Sequence, residues 1–407
     1  MFHTKFQTWR KAGFAALCAT MLAGQSLPVS ADVITDWNQR SAQFVTDSRL
    51  GTPPAVRLMA LVQTAAYAAV RDAAATTPTA PHATDVAVAA AHRLVLTQLL
   101  PAQKAAVESA YQTALAGVAD DAARARFVVL GERAAQRVLD RRADEMPRGP
   151  DTYRPHTTPG SYVPTALPAA TQWGARKPWL LARGDQFRPA PPPALGSALW
   201  VRDYNEIRQI GTRDSKQRNA DQTDIGRFWD YSLPAIYHGV VRSVALQPGR
   251  DVLANARLFA LVSQAMDDAL IAVMDAKYTY NFWRPVTAIR NGDTDGNDAT
   301  ERDAAWLPMI DTPMHPEYPC AHCILAGTVA TVVKAEGRTR PLPALSTASP
   351  TAQGAVRSWS SPEDFMREVA AARIYGGVHY RNSTEVGLAM GQRIGDWALS
   401  RAALGED

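Results

Sequence analysis

Cysteine is nearly missing from this 407-residue chain. There are three, and Cys18 falls in a segment that should not survive in the mature protein. The remaining pair, Cys320 and Cys323, is too small a set to staple a chain of this length, which excludes a disulfide scaffold. After the first residues, no apolar run reaches the roughly 20 residues that a membrane-spanning helix needs. Strand-like alternation of useful length is lacking as well, and no internal repeat stands out. Nor is there a strong excess of one charge. Lys and Arg number 43 against 39 Asp and Glu, and Lys5, Arg10 and Lys11 lie in the leader, leaving 40 against 39. A near-neutral chain gives no electrostatic reason to expect a nucleic-acid partner.

What is present begins with a leader. Lys5, Arg10 and Lys11 form a basic start, Ala12 to Gly24 a short apolar core, and Val29-Ser30-Ala31 a small-residue cleavage site. Residues 1–31 therefore read as a signal peptide, and the mature protein is expected to be secreted or periplasmic. Residues 32–407 read as a single all-α domain in three parts: N-terminal helices over 32–146, a wrapping segment over 147–196, and a helical bundle over 197–407. In the first part Val56, Met59, Leu61, Val62, Ala65 and Ala66 share one helical face, with Arg57 and Arg71 off it. Further helices are expected over 85–100, 102–117 and 119–145; His92 falls in the first of these and has no assigned role. The wrapping segment is rich in proline, up to the run Pro191-Pro192-Pro193, which forbids regular helix. Its Tyr153, Tyr162, Trp173, Trp179 and Phe187 argue that it packs on the protein. Helices resume over 197–211, 223–244 and 252–282, the last with a broad face from Leu258 to Val273. The loop with Asp293, Asp295, Asn297 and Asp298 departs from the EF-hand pattern and reads as a solvated turn.

Three stretches share one chemical theme. In Lys277-Tyr-Thr-Tyr-Asn-Phe-Trp-Arg284-Pro285, seven residues of helix would place two cations on nearly the same side. Such a pair suits an oxyanion, arginine as a planar fork and lysine as a point charge. In Tyr318-Pro-Cys-Ala-His-Cys-Ile-Leu-Ala-Gly-Thr328 a proline-rich approach turns into helix, so His322 sits in a first turn, where free N–H groups favour an anion. The third stretch opens with Ser361 as N-cap, Pro362 at N1 and Asp364 at N3. It ends at Gly376-Gly377, placing Arg373 in the last turn and His379 just beyond. Asn382 with Glu385 should cap the helix that follows.

Together, Lys277-x6-Arg284-Pro285, Pro319-x-x-His322 and Arg373-x5-His379 resemble the superfamily of type-2 phosphatidic acid phosphatases, bacterial acid phosphatases and vanadium-dependent haloperoxidases. The wording YNFWRPVTAIRNGD, PMHPEYPCAH and RIYGGVHYR is similar to the soluble bacterial branch related to vanadium chloroperoxidase. The resemblance implies that Lys277, Arg284 and Arg373, with Cys320 and Ala321, hold vanadate or phosphate. It makes His322 the acid–base residue and His379 the vanadium ligand, with vanadate as cofactor and peroxide and halide as substrates. The alternative within the superfamily is an acid phosphatase, with no cofactor, a phosphoester as substrate and His379 as nucleophile. Two departures stand out. Cys320-Ala321 replaces the common Ser-Gly, and Ser383 stands where the family often has an acidic residue four positions after the second histidine, leaving the group that orients His379 unassigned. Trp283 and Trp306 are candidates to line an apolar part of the pocket.

Cys320 and Cys323 also form a C-x-x-C at a helix start, the arrangement of a thiol–disulfide oxidoreductase. The prolines before it do not supply the strand that such a motif needs. In an oxidising compartment the two should form a disulfide at the pocket rim. A zinc site from Cys320, Cys323 and His315 is the remaining reading.

Overall fold

The computed structural model describes residues 31–76, 82–117, 120–145 and 150–403; the expected leader, but for Ala31, lies outside them. Thirteen α-helices carry the described chain, as the all-α reading expected. The first five are Val33–Asp47 (α1), Thr52–Ala74 (α2), Ala83–Leu99 (α3), Lys104–Leu115 (α4) and Asp121–Arg141 (α5). Asp32 starts α1 with a reciprocal cap: its carboxylate accepts from Thr35 N, and the Thr35 hydroxyl accepts from Asp32 N. Ala198–Ile210 (α6), Ala220–Phe228 (α7) and Pro234–Ala245 (α8) follow the wrapping segment. The single helix expected over 223–244 is thus two. Pro234 forces the residue before it out of the helical region, and Leu233 is extended at ψ 157°.

Val252–Tyr280 (α9) is the axis of the molecule. From Asn255 to Lys277 it is buried on nearly every side, with α2, α11 (Ala321–Glu336) and α13 (Arg381–Ala403) against it. The short α10 (Pro285–Arg290) and α12 (Pro362–Tyr375) complete the helices. A helix enclosed in this way must be apolar all round or have its polar groups paired. Asp267 and Asp268 show the second case. The Asp268 carboxylate accepts from Trp179 N, Leu180 N and Leu181 N at 2.6, 2.7 and 2.9 Å. Asp267 accepts from Trp179 Nε1 and from Arg57, both through Oδ2. Arg57, expected off the apolar face of α2, is in fact buried, paired with Asp267 and Glu145. The apolar pattern could not show that a charged partner waited on another helix.

Within 150–196 there is no α-helix, only a tight turn at Trp173–Ala175. The segment is tied to the core by backbone bonds, among them Tyr162 N to Asn281 O, Trp283 N to Gly160 O and Ala169 N to Met314 O. One feature escaped the sequence reading: strands Leu345–Ser349 (β1) and Ala355–Trp359 (β2) form an antiparallel hairpin, Leu345 opposite Trp359. Five residues each are too few to display a period. β1 is held by packing on α8, where Thr347 lies against Gly239.

Candidate active site

Lys277 lies in the last turn of α9, but the helix does not continue to Arg284. Asn281 closes it in the left-handed conformation, φ 47°, and Arg284 is the extended residue that Pro285 requires before α10. The cations expected on one helical face are therefore brought together by a turn. Both are fully buried and both grip the extended stretch before α11. Lys277 Nζ donates to the carbonyls of Pro316 and Glu317, at 2.9 and 2.7 Å. Arg284 donates from Nε to His315 O at 2.9 Å, from Nη2 to His315 Nδ1 at 3.0 Å, and from Nη1 to Val378 O at 2.9 Å and His379 Nε2 at 3.2 Å.

Cys320 is the N-cap of α11, its sulfur accepting from Cys323 N at 3.1 Å, and a disulfide joins the two across a Cα separation of 5.3 Å. Both cysteines are fully buried, and it is Ala321 and His322 that line the cavity. The bridge thus lies beneath the first turn and not at the rim. Burial also removes the exposed thiol that an oxidoreductase needs, and among the described residues no strand precedes the helix. The zinc reading fails as well. His315 is engaged by Arg284, the sulfurs are bonded to each other, and among the described residues no His/Cys/Asp/Glu group has a metal-binding arrangement.

Ser361 caps α12 by accepting from Asp364 N, with Pro362 at N1. Arg373 follows in the last turn, its Nη1 donating to Trp229 O at 2.7 Å. The chain then turns at Gly376-Gly377. Gly377 has φ 78°, and a Cβ there would lie 2.3 Å from Gly211 O, so only glycine fits. His379 follows, and α13 begins two residues later. The expected Asn382–Glu385 cap is not what starts α13. Asp203 of α6 accepts from Asn382 N at 2.8 Å, a cap reached across the fold.

Arg373, His379, His322, Ala321 and His315 line one cavity of about 310 Å³, with Asp230, Ser232, Leu270, Met274 and Leu325 among its other walls. Lys277 and Arg284 are not on the wall; Arg284 stands behind it, hydrogen-bonded to His315 and His379, which are, and Lys277 is held by the carbonyls of Pro316 and Glu317. Trp283 and Trp306 belong to a separate aromatic cluster with Trp200 and Tyr204. In the described loop Asp295 accepts from Trp200 Nε1 at 2.9 Å, which anchors that cluster.

The electrostatics ask for an anion. Burial and mutual repulsion hold Lys277 well below the usual lysine range, and burial lowers Arg284 and Arg373 to about 10. Burial, and then the neighbouring cations, also push His315, His322 and His379 well below 6.5. Arg373 Nε and His322 Nε2 are buried without a hydrogen-bond partner. Buried cations and orphaned nitrogens are costly unless something negative pairs with them. A tetrahedral oxyanion in the cavity meets that need.

The sequence reading missed Glu317 and placed His315 only in a zinc site. Glu317 is fully buried, and its Oε1 lies 2.7 Å from His379 Nδ1. Burial raises its carboxyl to about 7 against the pull of Lys277 and Arg284. Its one sequence signal was an acidic residue inside the proline-rich approach to His322.

Residues 257–404 match the model of the VCPO second helical-bundle domain. The structure superposes on a bacterial vanadium-dependent iodoperoxidase with a TM-score of 0.74, at 22% identity, covering 90% of this chain and 95% of that one. The chain has the vanadium haloperoxidase fold. A holo-type bacterial vanadium-dependent chloroperoxidase shares that fold at a TM-score of 0.73 and 18% identity, covering 94% of this chain and 99% of the other. Vanadium chloroperoxidase of Curvularia inaequalis is 26% identical over 213 residues, 44% of this chain. The matched part spans about a third of that relative, 34% of its length. The part of this haloperoxidase fold matched by the domain model contains Lys277, Arg284, His322, Arg373 and His379, with Glu317 and His315 between them.

Proposed function

We propose that this chain is an exported vanadate-dependent haloperoxidase, oxidising halide with hydrogen peroxide. The observation that carries the reading is the set of three buried cations at and behind the wall of a cavity that His379 lines, Lys277, Arg284 and Arg373, set against the buried carboxylate of Glu317. The leader at residues 1–31 supports export. Arg373 Nε, unpaired in the cavity wall, suits an oxygen of vanadate, Lys277 and Arg284 add positive charge from behind the wall, and His379 Nε2 suits its centre. When bound, vanadate supplies the Lewis-acid chemistry that activates peroxide toward halide. The chain's own residues do the rest. The cations balance the oxyanion charge without reorganising. His322, with a backbone contact to Tyr231 on one side and Nε2 free, can take the peroxide proton and return it to the leaving oxygen. Balanced, the reaction consumes halide, peroxide and one proton and yields hypohalous acid and water. The apolar walls at Leu270, Met274 and Leu325 limit water in the cavity.

Phosphate matches vanadate in charge and shape, so the same pocket could serve an acid phosphatase in which His379 attacks phosphorus. The test is to assay purified protein with orthovanadate for halide oxidation, and without it for phosphoester hydrolysis. We expect vanadate-dependent halide oxidation that His379→Ala abolishes. Hydrolysis that needs His379, with no halide oxidation, would give the site to the phosphatase.

A further inference from the structure

We infer that Glu317 is the positioning residue of His379, fixing which ring nitrogen faces the cavity, a task performed from the extended approach to α11 and not from the helix that follows His379. The inference rests on the oxyanion reading of this site. Arg284 Nη1 can only donate, so His379 Nε2, 3.2 Å away, must accept. In the neutral ring the proton then sits on Nδ1, which donates to Glu317 Oε1 at 2.7 Å. The same oxygen accepts from Tyr380 N at 3.1 Å, so the carboxylate is itself oriented by the residue next to the histidine. With the proton held at Nδ1, the ring's one lone pair is at Nε2, where Arg284 Nη1 now meets it and where an oxyanion centre would take the place of that contact.

Residue 383 shows the other place from which this could be done. It lies four residues after His379, and its hydroxyl comes within 3.4 Å of the same Nδ1 and stands beside the Glu317 carboxylate. A hydroxyl at that distance is a weak partner, whereas a carboxylate at 383 would reach the ring. Glu317 does more than replace it. Its backbone carbonyl takes Lys277 Nζ at 2.7 Å, so one extended residue places both a cation and the histidine of the site.

The test combines the unliganded protein with titrations of inorganic orthophosphate and orthovanadate. In two-bond 1H–15N spectra of the unliganded, histidine-labelled protein, His379 should appear as the Nδ1–H tautomer. Glu317→Ala should lose that signature and weaken both anions about 10–100-fold by calorimetry, with Glu317→Gln between it and the unaltered protein. Adding Ser383→Asp to Glu317→Ala should restore the tautomer and most of the affinity. If Glu317→Ala or Glu317→Gln leaves tautomer and affinity unchanged, the inference is wrong. It is equally wrong if affinity falls while the Nδ1–H tautomer persists and Ser383→Asp rescues nothing, since Glu317 would then act only through Lys277. If the unaltered protein binds neither anion, the oxyanion reading fails, while the spectra still decide the tautomer.

Discussion

Arg373 has one nitrogen committed to the Trp229 carbonyl and another, Nε, buried with no partner. Its guanidinium is held in place yet keeps hydrogen-bonding capacity for the cavity. A hydrogen bond to a charged group contributes about 1.5–3 kcal/mol, so Arg373→Met should weaken orthophosphate binding by roughly 10–100-fold in calorimetric titration. The same substitution replaces a buried cation with an apolar chain of similar length. Thermal unfolding in phosphate-free buffer should therefore change little, the removed buried charge being offset by the donor lost at Trp229 O. Equal phosphate affinity in the variant would remove Arg373 from the site. At this scale the sequence was informative where residue type alone sets the chemistry: Arg373, His322 and His379 stand out as cations and imidazoles at helix ends. It was silent on Glu317, because a carboxylate in a loop is ordinarily solvated, and only the fold shows that this one is buried against a histidine.

The helix pair α11 and α13 sets the spacing of the two histidines, since His322 lies in the first turn of α11 and His379 just precedes α13. The pair packs closely through glycines. A Cβ at Gly391 would lie 2.2 Å from Ile324 O, and one at Gly387 2.7 Å from Cys320 O. Gly391→Ala must push the helices apart, and overpacking of this kind costs about 1–3 kcal/mol. We expect a lower unfolding midpoint in calorimetry together with weaker orthophosphate binding, since residue 391, though well along α13 from His379, packs on Ile324 two residues from His322. Unchanged anion binding would show that the spacing is fixed elsewhere. The helices themselves were legible from caps and periodicity; their separation was not, because a glycine in a helix looks alike whether it faces solvent or another backbone.

Across the whole molecule, two histidines are buried outside the cavity wall, and each makes stability depend on pH. His92 in α3 tilts against Trp37, with burial lowering its pKa from 6.5 to about 4. His238 in α8 lies 2.7 Å from Asn38 of α1, and burial, then Arg242, lowers it to about 3. Between these values and 6.5 the unfolded chain binds more protons than the folded one, so stability rises with pH. It is fully present above about 6.5 and is lost as pH falls toward 4 and then 3, at up to about 1.4 kcal/mol per pH unit from each ring. Urea unfolding across that range should show the slope, and His92→Met should flatten it by about 1 kcal/mol per pH unit. A variant with an unaltered slope would mean that His92 is not buried neutral.

The sequence by itself determined the helical class, the helix ends at Ser361, Gly376-Gly377 and Cys320, and the proline-rich character of the wrapping segment, and it singled out five candidate site residues. These follow from local properties: side-chain caps, backbone freedom, missing N–H groups and the charge of single residues. Tertiary structure decided which buried charges meet. It paired Arg57 with Asp267 and Glu145, capped α13 with Asp203, and joined Glu317 to His379. It also turned the expected Lys277–Arg284 helical face into a turn with both cations gripping residues 315–317. The reason is common to all of these. A cap or a proline acts within four residues of itself, whereas the partner of a buried charge is chosen by desolvation across the folded core, at separations of 62 residues for His379 and 210 for Arg57.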